Sequence, residues 1–382
     1  MKKIVVILVI IVALVLSTFL GLHIGWRFKE KRVLNVYILD KTVTRSDRPE
    51  HKSLIWVLNT NRFVLPNQKS YNNTEDYYGF FPIDIKKEAF DFRSIRINEV
   101  DTYAAIYDVA YYADCYGVHS FEWYKGKSKP ISSQKIYGGL NQNDYLLMKK
   151  MLENGKLVIG EYNIFSSPTN ALVRSKTEEL LGISWSGWSG RYFPTLNIDA
   201  SNGPPPWMKN LFESQHMGVW PKDKSGIVLV NNDGLIEILV EGVHLNSSLP
   251  ITTSTNEALT RFGIKQNIPF EQWFEFINPL QNTVHSEFKL DVTQLGEETL
   301  SRMGLSSQFP AIIEGRELGK FFYFCGDFAE NPAQLWTAKI VGGNRLNHFL
   351  YRFDTPNRSD FFRYFYNPLI TNILQEHYSN LK

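Results

Sequence analysis

The hydrophobic pattern opens with one long apolar run over 4–22, starting at Ile4 and closing at Leu22, with Lys2 and Lys3 before it and Arg27, Lys29, Lys31 and Arg32 after it. As a helix such a run spans about one hydrocarbon thickness. It is long for a signal-peptide core, no small-x-small cleavage site follows, and no cysteine stands near enough for lipid attachment. The expectation is an uncleaved membrane anchor within residues 1–32. Its orientation draws on opposed signals. Basic residues after the run outnumber those before it, which favours a cytoplasmic body, whereas the short Met1-Lys2-Lys3 start is that of an exported anchor. We read the body, 33–382, as extracytoplasmic on a single-pass protein of the cell membrane.

Beyond the anchor, short apolar runs alternate with helical periodicity. The clearest unit lies between Tyr107 and Thr169. An apolar and aromatic run over 108–113 stops at Asp114-Cys115-Tyr116-Gly117. An amphipathic helix follows from about 140, with Tyr145, Met148, Met151 and Leu152 on one face, and closes at Asn154-Gly155. A second run over 156–160 ends at Glu161-Tyr162-Asn163. Strand, crossover helix and strand form a βαβ unit, the building block of a parallel sheet. The same alternation appears before it, as a strand over 34–39 ending at Asp40-Lys41-Thr42 and a helix over 50–61, and after it, as a helix over 170–181.

The middle of the chain changes character. The segment 185–193 is rich in aromatics and glycine and lacks helical period; 203–206 reads as a linker and 207–216 as a helix. Two apolar runs around Asn231-Asn232-Asp233-Gly234 are a strong hairpin signal, and more β-type sequence runs through 274–276 and 285–292. We take 185–292 as a partly β insertion or subdomain. The α/β pattern then returns with a helix over 296–303, strands over 309–313 and 320–325, and an amphipathic helix over 360–378.

Ligands of parallel sheets bind beyond the carboxyl ends of the strands. Asp40, Asp114, Glu161 and Asp327 each end a predicted strand, so they are candidates to line one crevice. Clustered carboxyls serve as acid–base pairs, since crowding separates their pKa values; strand-end carboxylates also cap helices and hold turns. If the protein is an enzyme, Asp114, Glu161 and Asp327 are its candidate catalytic residues. Asp40, Lys41, His51, Tyr116, Asn163, Trp188 and Arg191 are candidate binding residues. Lys41 and His51 flank the first strand end, and Trp185 and Trp188 beside Arg191 suit stacking on a sugar. Ser166-Ser167-Pro168-Thr169 lacks the glycines of a nucleophile elbow and reads as a helix start.

Composition sharpens this in three ways. A formal charge of +2, with both signs mixed, gives no electrostatic case for nucleic acid. Aromatics make up 14% of the chain, enough either to line a sugar site or simply to fill a large core. Cys115 and Cys325 are the two cysteines, each at the end of a predicted strand, readable as a disulfide or as buried thiols. The histidines are scattered without metal-ligand spacing, so neither metal nor cofactor is expected.

The order of these pieces resembles the class I glutamine-amidotransferase-like fold, including its trehalose-utilisation-type relatives. The likeness rests on 107–117, on 140–163 with its helix-Asn-Gly-strand ending, and on the late strand over 319–327, about half of the chain. Asp114-Cys115-Tyr116-Gly117 and Ser167-Pro168-Thr169 are also similar to motifs of a group of membrane-anchored bacterial proteins. The resemblance implies a three-layer α/β domain of flavodoxin-like type. It does not bring the activity with it. A working glutaminase presents a cysteine in a Gly-x-Cys-x-Gly elbow, and 161–168 contains no cysteine.

Three functions follow as expectations: a binding or accessory protein for a cell-envelope glycan, a carboxylate-dependent hydrolase of an envelope carbohydrate, or a structural partner in a membrane assembly that engages through the anchor and the C-terminal helix; a glycan or an envelope protein is the expected partner. The first is our leading reading.

Overall fold

The computed structural model describes residues 2–124, 134–247 and 249–381. Helix α1, Lys2–Arg27, is long and apolar enough to cross a membrane, and no residue of its most apolar window is buried. The body is a mixed α/β structure built on a ten-stranded sheet.

In chain order the body runs β1 (Val36–Asp40), α2 (Pro49–Thr60), β2 (Tyr78–Asp84), β3 (Ala89–Arg93), α3 (Val100–Ile106), β4 (Val109–Asp114), α4 (Gln142–Glu153), β5 (Leu157–Glu161) and α5 (Ala171–Leu181). The second half contains β6 (Ser184–Phe193), α6 (Pro206–Gln215), β7 (Gly226–Asn231), β8 (Ile236–Val240), β9 (Ile251–Ser254), α7 (Asn256–Phe262), β10 (Ile268–Pro269), β11 (Phe274–Asn278) and β12 (Thr283–Lys289). It closes with α8 (Gln294–Arg302), β13 (Gln308–Gly315), β14 (Phe321–Phe324), α9 (Gly343–Tyr351), α10 (Pro356–Phe361) and α11 (Asn367–Asn380).

The sheet's centre is five parallel strands in the spatial order β14-β5-β4-β1-β2. Taken by chain order this is 2-1-3-4-5, the flavodoxin-type arrangement, whose topological switch point falls between the first and third strands, here β1 and β4. Every residue of β1 and β5 is buried, as expected of strands covered on both faces. Helix α11 packs against α2 and α7, and α4 packs against α3 and α5. The edges are antiparallel: β3 on one side, and β13, β12, β9 and β10 on the other. Strand β12 therefore extends the main sheet, where the sequence pattern placed 285–292 among the inserted β material.

A second sheet, in the order β8-β7-β6-β11, is antiparallel throughout. With α6 it encloses a small core around Phe193, Met208 and Trp220. Strand β11 ties this sheet to the main one: Glu275 N donates to Cys325 O at 2.9 Å, and Asp327 N donates to Trp273 O at 2.9 Å. The inserted layer is thus fastened at the carboxyl end of β14.

Several local choices have direct causes. Asn141 caps α4 by accepting from the amides of Asn143 and Asp144. Asn170 caps α5 by accepting from Val173 N, so Ser166-Ser167-Pro168 belongs to the loop before the helix and not to its first turn. A Cβ on Gly79 would lie 1.8 Å from the Asp40 carbonyl oxygen, so glycine permits β2 to approach the end of β1. The C-terminal helix is interrupted by a π-helical turn, Phe362–Tyr366, between α10 and α11. Cys115 and Cys325 are free and buried.

Candidate functional site

The parallel strands deliver their terminal side chains to one edge. Asp40 and Asp114 are register partners at the ends of β1 and β4, and Glu161 ends β5 beside them. Asp327 follows β14 by three residues. Above this edge lies a cleft of about 400 Å³, closed on its far side by the second sheet. Its carboxyl groups are Asp114, Asp327, Glu50, Glu330 and, toward the rim, Glu122. Its aromatic walls are Tyr116, Tyr162, Trp185, Trp207 and Trp273, and Arg191 reaches in from β6.

Backbone turns hold the floor in place. Asp114 Oδ1 accepts Tyr116 N at 2.7 Å, a tight turn that swings Tyr116 onto the cleft. The same oxygen accepts Asn163 Nδ2 at 3.3 Å. Gly117 then takes a left-handed φ of 94°, and its N–H donates to Thr42 Oγ1 at 2.9 Å. Asn163 also has positive φ, 77°, a conformation asparagine tolerates well. On the opposite wall, Ser167 N donates to Asn232 Oδ1 at 3.1 Å, joining the β5 loop to the β7–β8 hairpin.

Two of the four strand-end carboxyls open on the cleft and two lie beneath it. Asp114 and Asp327 line it. Asp40 is fully buried and bound to His51 Nδ1 at 2.5 Å, while His51 Nε2 meets Asn73 O at 3.0 Å. Both ring nitrogens are thereby occupied, so His51 does not face the cleft as a free base. Glu161 is also fully buried. Tyr111 donates to its Oε1, and its Oε2 accepts Ala329 N at 3.1 Å. It acts on the cleft indirectly, by fixing the turn that carries Asp327 and Glu330.

Of the candidate binding residues, Tyr116, Asn163 and Arg191 line the cleft. Lys41 is turned inward, with its ammonium on Asp144 at 2.5 Å and Gly139 O at 2.8 Å. Trp185 and Trp188 are both 8% exposed and part of the core, but only Trp185 is among the residues that line the cleft; it donates Nε1–H to Trp188 O at 3.1 Å.

Sequence reasoning missed Glu50, Glu330, Trp207 and Trp273. Glu50 opens α2 immediately after Pro49, where an acidic residue looks like an ordinary partner of the helix dipole. The available signal was that this helix starts from the β1 loop, on the functional edge. Glu330 lies three residues past Asp327 in the same turn, a spacing that was readable. Trp207 and Trp273 come from the inserted layer, whose placement no local pattern reveals.

The electrostatics follow from crowding several acids under low-dielectric walls. Burial, reinforced by the Asp40 charge, pushes the Asp114 carboxyl up to about 7. Burial and then the charges of Glu330, Glu161 and Asp114 hold Asp327 well above the carboxylate range. Glu50 is raised likewise, by burial and then by Asp40. At about 7, the Asp114 carboxyl keeps its proton part of the time near neutrality, so it can donate as well as accept a hydrogen bond. Glu50 Oε2 and Arg191 Nε are buried here without a hydrogen-bond partner, polar atoms pointing at an unfilled need. Among the described residues, no group of His, Cys, Asp and Glu has the arrangement to hold a metal ion.

A His-x-Glu triplet, His285-Ser286-Glu287, occurs on β12, in the antiparallel extension. There His285 binds Glu314 at 2.7 Å, within a cluster that also includes Arg261, Arg316, Lys320 and Glu376. It is not among the residues that line the cleft.

No family model matches this chain, and no curated protein matches it. Among solved structures, it is similar to a protein from Bacteroides uniformis ATCC 8492 described as ThuA-like, at 10% identity and a TM-score of 0.36, over 87% of this chain and 96% of that one. The superposition is loose, and the functional reading rests on this chain's own residues.

Proposed function

We propose that the cleft binds a hydroxyl-rich saccharide, uncharged or cationic, and that α1 holds this site at the membrane, with the body on the extracytoplasmic side facing a cell-envelope glycan. The observation that carries the reading is the pairing of Asp114, Asp327, Glu50 and Glu330 with Trp185, Trp207 and Trp273 around one cleft. Carboxyls offer paired acceptors to vicinal hydroxyls, and aromatic faces pack against the apolar faces of sugar rings. Five acidic side chains against one arginine leave the cleft with no excess of positive charge, even where burial keeps a proton on Asp114. That disfavours phosphate-rich or uronate-rich polymers.

A glycan array probed with the full chain in detergent tests the reading. Neutral or amino-sugar oligomers should be retained, and retention should fall in Trp207→Ala. Retention of anionic glycans alone, or of none, would count against it.

One observation favours a second reading, hydrolysis of the same ligand. An acid poised near 7 beside other carboxyls is what general acid catalysis requires. Turnover of a retained glycan, abolished in Asp114→Asn with binding kept, would select the enzyme over the binder.

A further inference from the structure

The membrane end of the body has its own unassigned surface. The anchor does not leave the body on a free tether. Val341 N donates to Leu22 O at 3.1 Å, His23 Nδ1 lies 2.8 Å from Lys339 O, and the Phe19 and Trp336 rings meet edge to face at 5.9 Å. Trp26 is buried against the body and donates to Asn59 O at 3.0 Å, with Arg62 over its ring. Phe19 and Leu22 belong to the apolar run itself, so the segment that touches them sits at the depth where that run meets the headgroups.

That segment presents apolar and basic side chains together. Trp336 is 48% exposed and Val341 43%. Helix α9 begins two residues after Val341 and turns Gly343 and Asn347 inward. Arg345 and Phe349 therefore share its outer face, one helical turn apart, and Phe353 follows in the turn just beyond the helix end. Phe349 is 54% exposed and Phe353 75%. Arg352 lies over both rings, at 4.7 and 4.5 Å. A tryptophan, phenylalanines and arginines at a helix–membrane junction are the side chains that settle among headgroups.

We propose that the stretch from Trp336 to Phe353 is a second membrane contact, lying in the interface beside α1, with Phe349 and Phe353 inserted at headgroup level and Arg345 and Arg352 on lipid phosphates. The occupant is the bilayer that α1 crosses, and the proposal rests on α1 spanning it. The consequence is orientational: two contacts fix the tilt of the body, where a single helix would leave it free to swivel.

The test uses the full chain in vesicles of phosphatidylcholine and phosphatidylglycerol. Because Cys115 and Cys325 are buried, an environment-sensitive fluorophore can be placed singly through Phe349→Cys, with Leu8→Cys and Ser201→Cys as references in the anchor and on an exposed turn of the inserted layer. Lipids carrying a quencher near the headgroup should quench the label at 349, and the reference at 201 should be unaffected. Arg345→Gln with Arg352→Gln should reduce that quenching in vesicles containing phosphatidylglycerol. If the label at 349 behaves like that at 201 while the label at 8 is quenched, the second contact is wrong and the anchor stands. If neither 8 nor 349 is quenched, both fall. Shielding at 349 that depends on protein density and not on the lipid-borne quencher would mean contact with a second copy, which also overturns the proposal.

Discussion

Asp40 and Asp114 sit opposite each other at the ends of neighbouring parallel strands, yet Asp114 faces the cleft and Asp40 is folded beneath it onto His51. The buried charge of the first is one reason the second keeps its proton to about 7. For an acid whose folded pKa is raised, the stabilising contribution is complete below the unfolded value and is lost as pH rises through the folded one. Asp114 therefore makes the fold less stable between about pH 4 and 7. Asp114→Asn should flatten the fall in melting temperature across that window, by roughly 5 °C at pH 7. Glu275, raised to about 8 by burial, leaves a further decline toward pH 8 that this substitution does not remove.

Trp207 and Trp188 separate binding from folding. Trp207 is 49% exposed on the cleft wall and Trp188 is 8% exposed in the core. Trp207→Ala should leave the melting temperature within about 1 °C, as surface substitutions do. Trp188→Ala should cost about 3 kcal/mol or more through the cavity it leaves. Denaturant unfolding of both variants checks the contrast.

Glu161 should behave as a positioning residue. Its carboxyl group accepts from the Ala329 amide and from the Tyr111 hydroxyl. Glu161→Gln should cost about 1–3 kcal/mol by leaving a buried partner unsatisfied. It should also speed hydrogen exchange at Ala329, since the turn bearing Asp327 loses its tie. Unchanged exchange there would show that the turn is held by other contacts.

The buried Lys41–Asp144 pair gives a fourth outcome. Removing one partner strands the other charge away from water, so Lys41→Met should destabilise by about 3–5 kcal/mol. Lys41→Met combined with Asp144→Leu should recover much of that loss. A double-mutant cycle by urea titration measures both.

Legibility in the sequence followed from where the physics is local. β1, β4 and β5 are uninterrupted apolar runs because both of their faces are buried, and such runs stop abruptly at polar residues; that made Asp40, Asp114 and Glu161 visible as strand ends. Helices α2, α4 and α5 carried a clear apolar face. Strands β2 and β3 did not read as strands, since β2 contains Pro82 and β3, at an edge, carries Asp91 and Arg93. What one sequence does not reveal is depth. Nothing local distinguishes Asp114, which opens on the cleft, from Glu161, which lies under it, because the difference is made by Ala329 and Tyr111, far along the chain. The aromatic wall was half legible for the same reason: Trp185 and Trp188 are neighbours, and strand alternation with a register shift near Trp185 and Ser189 decides which one lines the cleft.

The most direct measurement of the central claim is calorimetric titration of the full chain, in lipid nanodiscs, with neutral oligosaccharides retained on the array and with their phosphorylated counterparts. We expect the neutral ligand to bind, the phosphorylated one to bind more weakly, and Trp207→Ala to lose about tenfold in affinity with its melting temperature unchanged. Equal affinity in Trp207→Ala, or a preference for the phosphorylated ligand, would contradict a saccharide site in this cleft.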